Sequence, residues 1–228
     1  MNRRTTSFLG LLVLAAAPLL TGCGTLAHLF QGDSVDAIYK PQDRPTLVIT
    51  EQDEGPNGPA LGDPSLSGVV TSQAMFQLKN EGVINVFVPP EKVAEVQKKY
   101  GDKYKSLAYT AVAREVGAQQ VLIIRVRTAS VAAEPGVLRP QAMVFIWLAD
   151  ATTDQVLFPP PGSGNDAVAP EAQTGPYVLT AELKYESPRG GDNSNALNAK
   201  LTRALAERIG RDSARVFFSY IPDSPDAP

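Results

Sequence analysis

The sequence predicts an α/β fold: a mixed β-sheet of about five strands with helices packed against it and a long C-terminal helix. Three observations lead there. β-Branched runs alternate with amphipathic stretches over residues 46–126, the pattern of strand–helix–strand units. Strand-like runs then succeed one another from 141 to 185 with mainly turn-forming residues between them, as in a meander. Near the end, Leu197, Leu201, Leu205 and Ile209 recur every fourth residue and share one helix face.

The elements follow in chain order. "TLVIT" (46–50) is a short apolar run between a proline and the turn-rich "EQDEGPNGP", and reads as a buried strand. The next stretch offers Asp63 or Ser65 as N-cap with Pro64 beside them, then Val70, Ala74 and Leu78 at four-residue spacing and a stop at Gly82. "VINVFV" (83–88) is rich in β-branched and aromatic residues and predicts a second strand. "PPEKVAEVQKKYG" opens with proline and Glu91 and closes with Lys98, Lys99 and Gly101, a charge order that suits the helix dipole. "KYKSLAYTAVAREVGA" predicts another helix, with Leu107, Ala111, Val112 and Val116 on one side and Gly117 as terminator. "QVLIIRV" (120–126) and "QAMVFIWLAD" (141–150) are strands, and "QVLFP" (155–159) returns along the latter after the "DATTD" turn. Trp147 is mid-strand and expected in the core. "YVLTAELKY" (177–185) alternates like a half-exposed strand, and Val216, Phe217 and Tyr220 are expected to continue the last helix.

With 43 % hydrophobic and 20 % charged residues, the chain of 228 can bury a core of its own. A single domain is expected over 46–222, interrupted at 159–175 by an insert too rich in proline, glycine and small polar residues to build a core, and followed by a disordered tail at 223–228. The net charge is −3, and without residues 1–22, which hold Arg3 and Arg4, 19 basic and 24 acidic residues remain. Such a surface does not recruit nucleic acid through counterion release.

Residues 1–22 form a basic start, the apolar run "FLGLLVLAAAPLL" (8–20) and a small-residue close. Thirteen apolar residues in a helix span about 20 Å, short of a bilayer's hydrocarbon core. The segment therefore reads as a cleaved export signal. Leu20-Thr21-Gly22-Cys23 resembles the lipobox of bacterial lipoproteins. That resemblance implies peptidase recognition through Leu20, Thr21 and Gly22, and a diacylglycerol on the Cys23 thiol, with palmitate-like chains anchoring the protein to membrane. Gly24, in place of the aspartate that retains lipoproteins at the inner membrane, implies the outer membrane and a periplasm-facing domain. Residues 23–45 are then the lipidated cysteine and its tether, with Leu26, Leu29 and Phe30 able to pack as a short helix instead.

The folded part carries a second, broader resemblance. "AREVGAQQVLIIRVRTA", "MVFIWLADATTDQVLFP" and "LTRALAERIGRDSARVFFSYIPD" are similar to the helix–turn–strand, hairpin and closing helix of one group of envelope lipoproteins. The group includes the lipoprotein activators of penicillin-binding proteins, the curli secretion lipoprotein and the N-terminal domain of the Tol translocation protein. The turn after Asp150 lacks the group's usual glycine, and the 159–175 insert is a departure from it. The resemblance implies a domain that binds another envelope protein.

Little chemistry is available for an enzyme. Cys23 is the only cysteine, so no disulfide forms within the chain, and lipidation consumes it. The only histidine, His28, lies in the tether. These two counts exclude Cys–His and Ser–His–Asp catalysis and the common zinc sites. Strand-end carboxylates, Glu51, Asp53, Glu54 and Asp150, are the remaining acid–base candidates, with turn formation as their alternative role. "PGSGN" (161–165) lacks the lysine and hydroxyl of a phosphate loop, and "RGGDNSN" (189–195) reads as a turn into the last helix. Tyr100, Tyr104 and Tyr109, set among Lys98, Lys99, Lys103 and Lys105, form a candidate partner-binding surface; the alternative is a partly buried helix connection. The expectation is a non-enzymatic, lipid-anchored binding module without metal or cofactor that docks on or regulates an envelope complex. The alternatives are a structural subunit of an oligomeric export assembly and, further off, a carboxylate-based hydrolase or a small-molecule or glycan binder.

Overall fold

The computed structural model describes residues 34–56, 58–134, 137–160, 175–185 and 195–222. The signal segment, Cys23, His28, most of the 159–175 insert, the 189–194 turn and the 223–228 tail lie outside them. The described residues divide into two units, 34–36 with 219–222, and Ala37–Phe218. In the first, Val35 and Tyr220 form an antiparallel bridge through N–H···O bonds of 2.8 and 2.9 Å.

The second unit contains the sheet. Its strands are β1 (Thr46–Gln52), β4 (Gln120–Glu134), β5 (Val137–Asp150), β6 (Val156–Phe158) and β7 (Tyr177–Glu182); β2 (Glu54–Gly55) and β3 (Gly58–Pro59) form a separate small hairpin. The order is β1-β4-β5-β6, with β7 also on β5. β1 runs parallel to β4 and the other pairs are antiparallel, so the sheet is mixed, as the sequence predicts. The helices are α1 (Leu66–Asn80), α2 (Pro90–Tyr100), α3 (Tyr109–Glu115) and α4 (Asn195–Arg215).

Side-chain alternation divides the core between the two sheet faces. On one face lie Val48, Leu122, Ile124, Val144, Ile146 and Leu148, all buried, with α4 packed across β4, β5 and β7. α1 and α4 meet there with Val70, Ala74 and Leu78 facing Leu205 and Ile209, the residues whose spacing marked both helices. Their closest approach is at Gly210, where a Cβ would stand 2.5 Å from the Val70 carbonyl oxygen and 2.8 Å from Gln73 Cβ. Glycine is required there by proximity, since no side chain fits between the two backbones. Phe158 and Phe217 finish this layer with Tyr39 and Tyr177, in ring pairs 5.3–6.5 Å apart. On the opposite face Leu47, Val121, Ile123 and Ala149 meet Val96 of α2 and Val112, Ala113 and Val116 from α3 and its end.

Several expectations need correction. Residues 83–88 do not form a ladder: only Phe87 bridges β1, at Thr46, because Pro89-Pro90 turns the chain at once into α2. The 103–118 helix begins only at Tyr109; Gly101–Ser106 is a 3₁₀ helix, and extended backbone at Leu107 and Ala108 separates the two. α4 ends at Arg215, where the Val216 carbonyl instead accepts the Ile38 and Tyr39 amides at 2.9 and 3.2 Å. Residues 37–45, expected in a tether, are held by these bonds, by Asp43–Asn85 and by Arg44–Asp150. Ser65 stands at the α1 N-cap without a side-chain cap bond, while Asp63 accepts the Ser65 amide at 2.8 Å. Trp147 is partly buried against the second face.

Candidate functional site

The strand-end carboxylates are neutralised rather than poised. Glu51 faces Arg125 across the β1–β4 register, and Asp53 lies one step further on. Arg125 Nε reaches Asp53 at 2.9 Å and its Nη2 lies 3.8 Å from Glu51; Arg127 Nη1 closes on Asp53 and stacks its guanidinium over Phe145, 5.2 Å from the ring centre. The Tyr109 hydroxyl donates to Glu51. Burial first, and then the Glu51 carboxylate, push the Tyr109 phenol well above its ordinary pKa, so it stays a hydrogen-bond donor. The two acids are thus engaged by two guanidiniums and a phenol. Sequence could have flagged this: Arg125-x-Arg127 and Glu51-x-Asp53 share a parity on neighbouring strands.

Asp150 is likewise occupied. It accepts the Thr152 and Thr153 amides at 2.7 and 3.0 Å and pairs with Arg44 at 3.1 Å. The two amides, then Arg44, hold its carboxyl below the usual carboxylate range. It is the turn-forming aspartate of the alternative reading. Glu54 sits exposed in the small hairpin. Among the described residues no group of three or more His, Cys, Asp or Glu could hold a metal ion, and no helix is long and apolar enough to cross a membrane.

Among the described residues, a groove of about 840 Å³ along the outer edge of β1 has room for a ligand. α1 forms one wall, presenting Thr71, Met75 and Phe76, and α2 forms the other with Val93, Ala94 and Gln97. Residues 85–88 close one end. At the other, Gln52 bridges the Asp63 carbonyl and Ser67 Oγ at 2.9 and 3.1 Å, fixing the start of α1 against β1. Phe76 is 56 % exposed and Val86 54 %, a large apolar area to leave in water. Lys79 is the only charged residue of the lining.

The three tyrosines differ in their surroundings. All pack partly buried against the second core face. Tyr109 is committed to Glu51, and Tyr100 lies 3.5 Å from Glu115 beside the Lys99–Glu115 pair. Tyr104 alone reaches the groove. The groove itself escaped sequence reasoning, since its lining comes from residues 47–50, 67–79, 85–97 and 104, separate in sequence and each read as a helix or strand. The one local signal was Phe76, an aromatic off the buried stripe of its helix.

No family model matches the chain, and no curated protein matches it. Among solved structures the chain is similar to the lipoprotein GNA1162 from Neisseria meningitidis, with 14 % identity, a TM-score of 0.42 and coverage of 72 % of this chain and 96 % of that one. It is similar to the PelC dodecamer from Paraburkholderia phytofirmans, with 14 % identity, a TM-score of 0.37 and coverage of 81 % and 98 %. The LpoB C-terminal domain from Salmonella enterica matches with 15 % identity, a TM-score of 0.34 and coverage of 70 % and 93 %.

Proposed function

We propose that the protein is a lipid-anchored, periplasm-facing module that docks on another cell-envelope protein and regulates or assembles its complex. The anchor is a diacylglycerol on the Cys23 thiol, with cleavage after Leu20-Thr21-Gly22 leaving Cys23 as the new N-terminus, and the membrane is the outer one. The docking site is the groove between α1 and α2, to which Tyr104 contributes. One observation carries this reading: the largest apolar exposure of α1, Phe76, lines a groove with a single charge, while Asp53 and Asp150 are held in ion pairs away from it. Chemistry needs groups of suitable pKa held together, whereas docking needs an accessible apolar centre with a polar rim.

The test is a photo-crosslinking side chain at Phe76 in the full chain, expressed in cells with a double-membrane envelope, with and without Cys23→Ser. The expected result is an adduct with a different envelope protein, together with incorporation of a palmitate analogue that Cys23→Ser abolishes. A bare Cys23 thiol with the leader still attached would overturn the anchor. Absence of adducts at Phe76 and at control positions across the surface would overturn the docking role.

A further inference from the structure

Among the described residues β1 is an edge strand, and its outer edge pairs only at Thr46. Thr46 donates its amide to the Val86 carbonyl and accepts the Val88 amide through its own carbonyl, both at 2.9 Å. Its backbone groups therefore point away from β4. In a strand that orientation repeats every second residue, so Val48 and Thr50 also turn N–H and C=O outward, while Leu47, Ile49 and Glu51 serve β4. Among the described residues no strand lies along that side of β1 beyond Thr46. The unused edge opens into the groove, with α1 above one sheet face and α2 above the other.

We propose that the groove is a slot for one added β-strand, an extended segment of about five residues supplied by a different polypeptide; this rests on the docking reading above. Main-chain hydrogen bonds to Val48 and Thr50 hold the guest, and its alternate side chains meet Met75 and Phe76 on one side and Val93 and Ala94 on the other. Helices on both sides make the guest a strand buried on both faces, hence apolar over the positions before its end. Lys79, the only charge in the lining, lies towards the 85–88 end, so the guest ends there in an acidic group and carries no lysine or arginine. The β1 edge of a second folded copy cannot pair here, because it is walled by its own α1 and α2. Only a single extended segment enters.

The test uses the full chain. In hydrogen exchange on the purified, partner-free protein, the Val48 and Thr50 amides exchange fast while Leu47 and Ile49 are protected. Protection of all four in the free protein means the slot is already filled and overturns the proposal. In cells carrying the crosslinker at Phe76, Thr50→Pro removes an outward donor that β4 does not use. It is expected to lower adduct yield about tenfold or more, while Thr50→Val, which keeps the amide, preserves it. An adduct that survives Thr50→Pro in a folded chain, a dimer of this chain, or a crosslink to its own residues overturns the slot and leaves docking in place. Adducts found only from the exposed Met143 or Val178 positions on β5 and β7 do the same. Loss of adducts everywhere sinks both readings. If Thr50→Pro fails to fold, protection of Val48 and Thr50 gained only in the purified adduct supports the slot, and its absence refutes it.

Discussion

The two faces of the sheet are built to different standards. The α1–α4 face is dry and closed: Val70, Ala74, Leu78, Leu205 and Ile209 have no measurable exposure, and the helices touch backbone to backbone at Gly210. The α2–α3 face is a mosaic. Ile49, Val93, Tyr104, Leu107, Tyr109 and Trp147 are each only partly buried, and ion pairs extend that face past its apolar centre. The contrast teaches where each property resides. The first face leaves no room for an added methyl group at Gly210, whereas the second leaves its bordering side chains partly open to solvent.

The strongest way to break the comparison is Gly210→Ala. The new methyl group meets backbone that cannot swing aside, so α1 and α4 must separate, at a cost of about 1–3 kcal/mol. Urea unfolding is expected to show the loss; an unchanged midpoint would mean that the dry face is no tighter than the mosaic one. A smaller effect is expected for Tyr109→Phe, which removes the hydroxyl bond to Glu51 but keeps the ring, at about 1 kcal/mol in the same assay. A loss as large as that of Gly210→Ala would erase the distinction.

The smallest effect depends on pH. Asp150 has its carboxyl held below the ordinary value in the folded state, so its contribution is fully present above about pH 4 and is lost as pH falls through the folded value. Stability of the unaltered protein should therefore drop more steeply on acidification below that point than stability of Asp150→Asn. Parallel acid-unfolding curves for the two proteins would show that the turn's hydrogen bonds do not distinguish the charged carboxylate.

Most of the architecture was legible from spacing. The four-residue recurrences in α1 and α4 mark the helices that build the dry face, and the β4 and β5 runs mark the centre of the sheet. The misses share a cause. Residues 83–88 have strand composition, yet the prolines that follow allow one bridge only. Val216 and Phe217 continue the apolar stripe of α4, yet the Val216 carbonyl is claimed by amides almost 180 residues earlier in the chain. In each case the preference of the segment was overruled by what surrounds it, the adjoining prolines in the first and a distant partner in the second. The groove belongs to the same category, since it exists only where four separate stretches of the sequence come together.

The lone bridge between Thr46 and Phe87 has a mechanical consequence. Segment 86–88 already occupies the first berth beside β1, so anything lying along the remainder abuts Val88 and cannot slide past it. Sheet pairing tolerates displacement only in steps of two residues before every side chain changes sides. With one terminus blocked, the frame of contact is preset by the protein, and recognition becomes a matter of counting positions from a fixed wall.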